Sequence, residues 1–315
     1  MELRQLRYFV KIADAGSLSR ASRVLHVAQP ALSQQMAQLE AELGQMLLVR
    51  MSSGVKMTEQ GEVFYTRAQR ILREIDDIPA AVGTLEKSPS GTVTVGLPQS
   101  TAAQYALPLV EALRVRFPAI RLELFDEISS HIPARLESGR FDLGVLVNDE
   151  DAAPLDALAL MDEHLFLVSR AGQAPGTAQV TAAQLAALPL SIPAPGLGVR
   201  PIVDAFLARA GLAVAELQVL TNSMNIMRST MLAGLAHGVM PWAAVADELA
   251  SGALVATPIT PLLTRRVHVC VARNAGLTLA ARAVHSLLVE VVRERVRSGL
   301  WQGATLIEPP AGTAP

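Results

Sequence analysis

Apolar residues in the first 45 positions recur at helical rather than strand spacing. Leu3, Leu6, Phe9, Val10 and Ala13 form one stripe, which stops at Asp14-Ala15-Gly16. Ser17 is placed to cap a second helix in which Leu18, Ala21, Val24 and Leu25 face inward and Ser19, Arg20 and Arg23 outward. After His26-Val27-Ala28, Pro30 suits the first turn of a third helix near Gln29. Ala31, Leu32, Met36, Leu39 and Leu43 supply its buried stripe, and Gly44 ends it. Leu47-Leu48-Val49 then reads as a short strand, with Met51 to Lys56 turning back toward Met57.

The face of the third helix left over near its start is Gln29, Ser33, Gln34 and Gln38. Amide and hydroxyl side chains suit the edges of DNA bases in a major groove. Such a face is equally compatible with an ordinary solvated three-helix bundle. The strand-turn-strand that follows resembles the wing of a winged helix and sets Arg50 and Lys56 where phosphates would be met.

Thr58 is placed to cap a long helix, with Glu59 and Glu62 in its electropositive first turn. Phe64, Ala68, Ile71, Ile75, Ile78, Val82 and Leu85 step by 4 and 3 in alternation, the rhythm of a coiled-coil seam, so a homodimer is expected. Pro79 interrupts the backbone bonding there and predicts a kink. Ser88-Pro89-Ser90-Gly91 breaks the pattern.

From Thr92 onward β-type and helical runs alternate: a strand at 92–96, a helix at about 102–117, a strand at 120–125, a helix around 131–138 and a strand at 142–147. That grammar predicts a parallel sheet flanked by helices. A second set starts at His164 and includes a strand at 218–221 and a helix at 224–233. The chain returns at 266–272 and closes with a helix at about 279–297. The Pro/Gly-rich segment 301–315 reads as a flexible tail.

Composition changes the picture in two places. Residues 1–58 hold seven Lys/Arg against four Asp/Glu, a charge of +3 in a chain of −2, so a basic head sits on an acidic body. That balance fits phosphate contact at the N-terminus. The single cysteine, Cys270, excludes an internal disulfide and lies in an apolar run that reads as a buried strand. No export signal or apolar span long enough for a membrane helix is found, so a cytoplasmic location away from the membrane is expected. Hydrolase elbows, phosphate loops and metal-spaced His/Cys clusters are missing, so neither enzyme chemistry, a cofactor nor a metal is expected.

Gln29-Pro30-Ala31-Leu32-Ser33-Gln34-Gln35, followed by Leu39-Glu40, Leu43-Gly44, Leu47 and Arg50, resembles the DNA-binding domain of LysR-type transcriptional regulators. Leu6 to Ile12 and Val24 to Gln35 resemble the nitrogen-assimilation-control branch. Position 28 departs from the pattern as Ala where Ser or Thr is common, and position 48 as Leu where Phe is common. The resemblance implies an α/β protein: a winged helix-turn-helix (1–58), a linker and dimerisation helix (59–87), a hinge (88–91) and a two-lobed effector domain like periplasmic binding proteins (92–300). Lobe I would take about 92–162 and 267–300, and lobe II about 163–266. It further implies contacts from Gln29, Pro30, Ser33, Gln34, Arg50 and Lys56 to double-stranded promoter DNA of dyad symmetry, a homodimer or homotetramer, and RNA polymerase as a partner.

A cleft between lobes is where a small molecule would bind, since helix N-termini converge there. Ser100, Thr101, Ser129, Gly196, Asn222 and Ser223 are the expected contacts, and hydroxyls with helix dipoles favour an anion. Helix capping demands the same residue types. His237, in Gly234 to Pro241, is read as a surface or packed histidine near a turn ahead of a ligand group. A ligand-independent regulator is the alternative; a two-lobed enzyme and a solute-binding protein are remoter ones.

Overall fold

The computed structural model describes residues 1–51, 54–82, 88–215, 220–273 and 276–308. It divides into two compact units, one built on residues 1–88 and the other on residues 89–136 and 141–315.

In the first unit, α1 (Leu3–Ala15), α2 (Leu18–Leu25) and α3 (Gln29–Leu43) are followed by the hairpin β1 (Leu48–Met51) and β2 (Gly54–Met57), then by α4 (Glu59–Val82). Ser17 caps α2 by accepting from Arg20 N, and Ala28 leaves α3 without a side-chain cap. Leu6, Phe9, Ile12, Ala21, Leu32, Met36 and Leu39 close the core, with Leu47 and Leu48 beneath the hairpin. The wing docks through Val55 N, which donates to Gly16 O at 2.9 Å. Gly54 makes that approach possible: its φ is +139°, and a Cβ there would lie 2.3 Å from Gly16 O. Glu40 Oε1 accepts from Leu47 N (2.7 Å) and Leu48 N (3.0 Å), pinning the entry to β1 against α3.

The second unit begins with β3 (Gly91–Pro98), α5 (Ala102–Arg116), β4 (Ile120–Glu127), α6 (Ile132–Glu137), β5 (Leu143–Leu146) and α7 (Asp149–Ala152). It continues with β6 (Asp156–Arg170), β7 (Val180–Thr181), α8 (Ala182–Ala186), α9 (Arg200–Ala208), α10 (Met224–Leu232) and β8 (Gly238–Pro241). α11 (Ala246–Ala250), β9 (Leu254–Thr260), β10 (Thr264–Val271), α12 (Leu279–Arg297) and β11 (Ala304–Leu306) complete it. The sheet order is β4-β3-β5-β10-β6-β9-β7, with β8 and β11 also on β6. β3, β4 and β5 are parallel, as the βα alternation predicts. β10 is antiparallel to both β5 and β6, so the sheet is mixed, not purely parallel. A strand returning from the far lobe has no crossover helix to make it parallel.

β6 runs through both lobes. The first half of β6 pairs with β10, and residues 165–170 pair with β8 and β9. Val93, Val95 and Leu97 pack against α5 and α12 on one side of the first lobe, while Ile132, Phe141 and buried Cys270 fill the other. Gly96 and Gly144 sit side by side there, because a Cβ at either would meet Phe141 or Ile132 at 2.5 Å. A second core, around Leu167, Val203, Phe206 and Val239, forms the other lobe. The reading of 301–315 as a tail is corrected: Trp301 is buried and β11 lies antiparallel to β6. Gln218, read as part of a strand, and residues 309–315 lie outside the described residues.

Candidate nucleic-acid interface and interlobe cleft

α3 opens without a side-chain cap, and its first turn projects Gln29, Pro30 and Gln34 into solvent, with Ser33 half-buried behind them. Ser19 on α2 donates its hydroxyl to Gln29 Oε1 at 3.0 Å. Arg50, exposed on β1, donates from Nη2 to Ser33 Oγ. The hairpin therefore brings a guanidinium onto the helix face the sequence singled out. Lys56 is exposed on β2, whose register sets it opposite Val49. Sequence reasoning named six of these side chains but gave Ser19 no role beyond facing outward.

The α4 seam divides. Phe64 packs edge-on against Phe9 (ring centroids 5.0 Å apart), and Ala68 is buried in the same core. Those two positions hold α4 to its own domain. Ile71 and Ile78 stay exposed, the latter at 53%, and Ile75 is half-buried. The Val82 side chain lies outside the described residues. Tyr65, whose phenol burial and the Asp14 carboxylate push well up, donates to Asp14 Oδ1 and ties α4 to the end of α1.

In the second unit the expected cleft residues separate. Thr101 is fully buried, with Oγ1 3.3 Å from Pro98 O and 3.2 Å from Tyr105 Oη. It turns into the lobe interior, so a ligand role for Thr101 is replaced by a structural one. Ser223 caps α10 by accepting from Ile226 N (3.4 Å). Ser100, Ser129 and Asn222 do share a cavity of about 60 Å³ with Met224, Met227 and Arg265. A neighbouring one of about 50 Å³ lies against Ser100, Gly198, Met240 and Arg265. Both fall well short of the about 300–1,000 Å³ of a site for a drug-sized ligand. Gly196 borders a separate cavity of about 450 Å³, which Asp149, Asp151, Asp162, Arg209 and Arg266 make strongly charged. Asn148 Nδ2 reaches across to Gly198 O at 3.4 Å.

The centre of this region is a cluster the sequence did not flag. Arg265, 4% exposed, donates from Nε to Glu163 Oε2 at 2.8 Å and from Nη2 to Ser100 Oγ at 2.9 Å. Glu163, 1% exposed, accepts through its other oxygen from Trp301 Nε1 at 2.9 Å. Trp301 in turn stacks on Tyr105 (5.8 Å, 12° between planes). The cation at the floor of the cleft is therefore already neutralised from within, and the Ser100 hydroxyl is engaged. Their partners lie more than a hundred residues apart in sequence, so no local pattern could have shown them. His237 Nδ1 is 2.7 Å from Ser169 Oγ, and burial lowers its pKa; it is a half-buried side chain held by that contact. Burial also pushes the Cys270 thiol up to about 12, which leaves it unreactive.

Among the described residues no group of three or more His, Cys, Asp or Glu is placed to hold a metal, and no helix is long and apolar enough to cross a membrane. A winged helix-turn-helix ahead of a two-lobed α/β unit defines a class, the DNA-binding regulators with an effector-binding domain. Residues 3–62 match the bacterial regulatory helix-turn-helix proteins of the lysR family, and residues 86–293 match the LysR substrate binding domain. The chain belongs to the LysR family of transcriptional regulators, and its relatives are regulators, not enzymes. It is 34% identical to the nitrogen assimilation regulatory protein nac of Escherichia coli (strain K12) over 308 residues, covering 96% of this chain and 99% of that one. Among solved structures, full-length OxyR from Pseudomonas aeruginosa is similar in fold, with TM-score 0.75, 23% identity and coverage of 98% and 99%. So is full-length CbnR in complex with its target DNA, at TM-score 0.62, 23% identity and coverage of 93% and 99%.

Proposed function

We propose that this regulator reads a dyad-symmetric promoter site through Gln29, Pro30, Ser33 and Gln34 of α3, with Arg50 and Lys56 of the wing on the phosphates. The observation that carries this is the meeting of Arg50 with Ser33 on an exposed face at the start of α3. A helix N-terminus there adds a positive dipole end toward the duplex. Two copies pair through Ile71 and Ile78, exposed on α4, with half-buried Ile75 between them, along the heptad that the sequence extends to Val82. Two such pairs make a homotetramer, and RNA polymerase is the partner at the promoter. The expected compartment is the cytoplasm, where promoter DNA is held.

Footprinting on the chain's own upstream DNA tests the reading. Protection of an inverted repeat supports it. No protection at low ionic strength removes it, since nonspecific electrostatic binding alone is favourable there.

The finer reading is control by a small, anionic effector in the interlobe cleft. Of the three cavities described above, the one beside Gly196 has the volume for one, about 450 Å³. A second reading, regulation with no small effector, is favoured by the pairing of Arg265 with Glu163 and Ser100, which leaves no unneutralised cation at the cavities lined by Ser100 and Asn222. Thermal-shift titration with a panel of small organic acids separates them. A saturable shift that Gly196→Val abolishes supports the effector, and no shift with any acid supports the second reading.

A further inference from the structure

The chain passes between the two lobes of the second unit twice, and the crossings lie side by side. β6 leaves its pairing with β10 after His164 and takes up β8 and β9 from Leu165 onward. The return falls between Leu263, which packs in the second lobe's core, and Thr264, the first residue of β10. Leu165 N donates to Leu263 O at 2.8 Å, which joins the two crossings. Turning one lobe against the other has to be absorbed by backbone rotation at a few such residues.

β11 closes over this point. It pairs with Met161 to Glu163 along the edge of β6 opposite β10, so those residues are flanked by strands on both sides. His164 N donates to Gly303 O (2.7 Å) and Ile307 N to Leu160 O (2.9 Å). Trp301 is buried in the first lobe's core, and its indole donates to Glu163, which in turn holds Arg265 at the start of β10. Gly303 lies against the other lobe. Its φ is +67°, and a Cβ there would stand 2.8 Å from the ring of Phe166, which packs with Met231, Met240 and Val245.

We infer that residues 301–307 form a strap that brakes rotation between the lobes. The strap seats its indole in one lobe and its glycine against the other, and between them it bonds the backbone at the crossing. While it is bound, rotation at His164 or Leu165 breaks the His164–Gly303 bond or drives Gly303 into the Phe166 ring. With the strap away both restraints are gone, and the crossing can absorb the turn. Control of the lobe angle therefore lies in the C-terminal segment, and anything that draws it off β6 acts on that angle. The inference stands apart from the reading of α3 on DNA.

Distance measurement between two spin labels tests it. Leu107→Cys on α5 and Leu235→Cys beyond α10 supply exposed sites, one in each lobe, while the native Cys270 is buried and stays unlabelled. Labelled chain is diluted in unlabelled chain so that only pairs within one molecule are read. The full chain is expected to give one narrow distribution. Ending the chain at Leu300 removes the strap and is expected to widen the distribution about two-fold. Gly303→Val places a branched side chain at positive φ against Phe166 and should lift the strap without deleting it. It should widen the distribution too, with faster exchange of the His164 and Ile307 amides. Ending the chain at Glu308 spares the strap and keeps the narrow distribution. Far-UV ellipticity shows whether each variant is folded, and Gly303→Val decides if the shortened chain is not. A folded variant whose strap is gone but whose distribution is as narrow as that of the full chain overturns the inference. Equal widening on ending the chain at Glu308 overturns it as well.

Discussion

The same contact, an arginine Nη2 donating to a serine Oγ, occurs twice in this molecule, at Arg50–Ser33 on the reading face and at Arg265–Ser100 under the cleft. On the reading face the arginine has no carboxylate partner among the described residues and is open to water, so its serine bond is worth little net and can be exchanged for a phosphate or a base. Under the cleft the arginine is 4% exposed and also bound to Glu163, whose second oxygen is held by Trp301. Removing one partner there strands a charge out of water, which is far more costly than losing a surface contact. Burial, and not the identity of the bond, decides which contact is a site for exchange and which is a fixed strut.

The largest expected effect breaks the strut. Glu163→Gln leaves the Arg265 guanidinium buried without its counter-charge and should lower the stability of the second unit by about 3–5 kcal/mol in urea unfolding. The pair Glu163→Leu with Arg265→Met should cost less, about 1–3 kcal/mol, because the desolvation of both charges disappears together and the Trp301 N–H is what is left without an acceptor. If the single and the double replacements were equally damaging, packing and not charge would be the source.

A smaller effect isolates the far end of the cluster. Trp301→Phe retains an aromatic ring over Tyr105 but removes the N–H donated to Glu163 Oε1. The oxygen left unpaired should cost about 1–3 kcal/mol. Truncating the chain before residue 300 should do at least as much damage, since β11 and the indole leave together. A truncated protein as stable as the full chain would return the segment to the status of a tail.

On the reading face the expected pattern inverts. Arg50→Ala should leave stability within about 0.5 kcal/mol, as for other exposed positions. It should nevertheless reduce the slope of log affinity against log salt by about 0.9, the loss of one phosphate contact. An unchanged slope would mean that Arg50 stays on Ser33 when DNA is bound.

What the sequence made visible follows the same division. Pro30, Gly44 and the Ser17 cap act within a few residues, so α2 and α3 and the outward set Gln29, Ser33 and Gln34 could be read directly. The heptad in α4 was visible, but periodicity cannot say whose core an apolar face enters. Phe64 and Ala68 go to their own domain while Ile71 and Ile78 do not. Ser100 and Thr101 are adjacent and alike in chemistry, yet one meets Arg265 and the other Tyr105, because each side chain's direction is set by the turn into α5. The direction of β10 and the burial of Trp301 depend on partners more than a hundred residues away, beyond any local signal.

The gentlest probe of the contrast is pH. Burial lowers the pKa of His285 on α12 and of His237 beside Ser169, so in the folded protein both are held neutral below their ordinary range. The unfolded chain then binds more protons near pH 6, and the stability these groups contribute is full above about 6.5 and falls as pH drops through the lower folded values. Both lie in the second unit, so its melting temperature should decline between pH 7.5 and 5.5 while Arg50-dependent DNA contacts keep their charge. His285→Gln should flatten part of that decline. A melting profile as steep in His285→Gln as in wild type would assign the acid sensitivity to His237 alone, and the corresponding Ser169→Ala variant, which removes the hydroxyl at 2.7 Å, would then shift the midpoint.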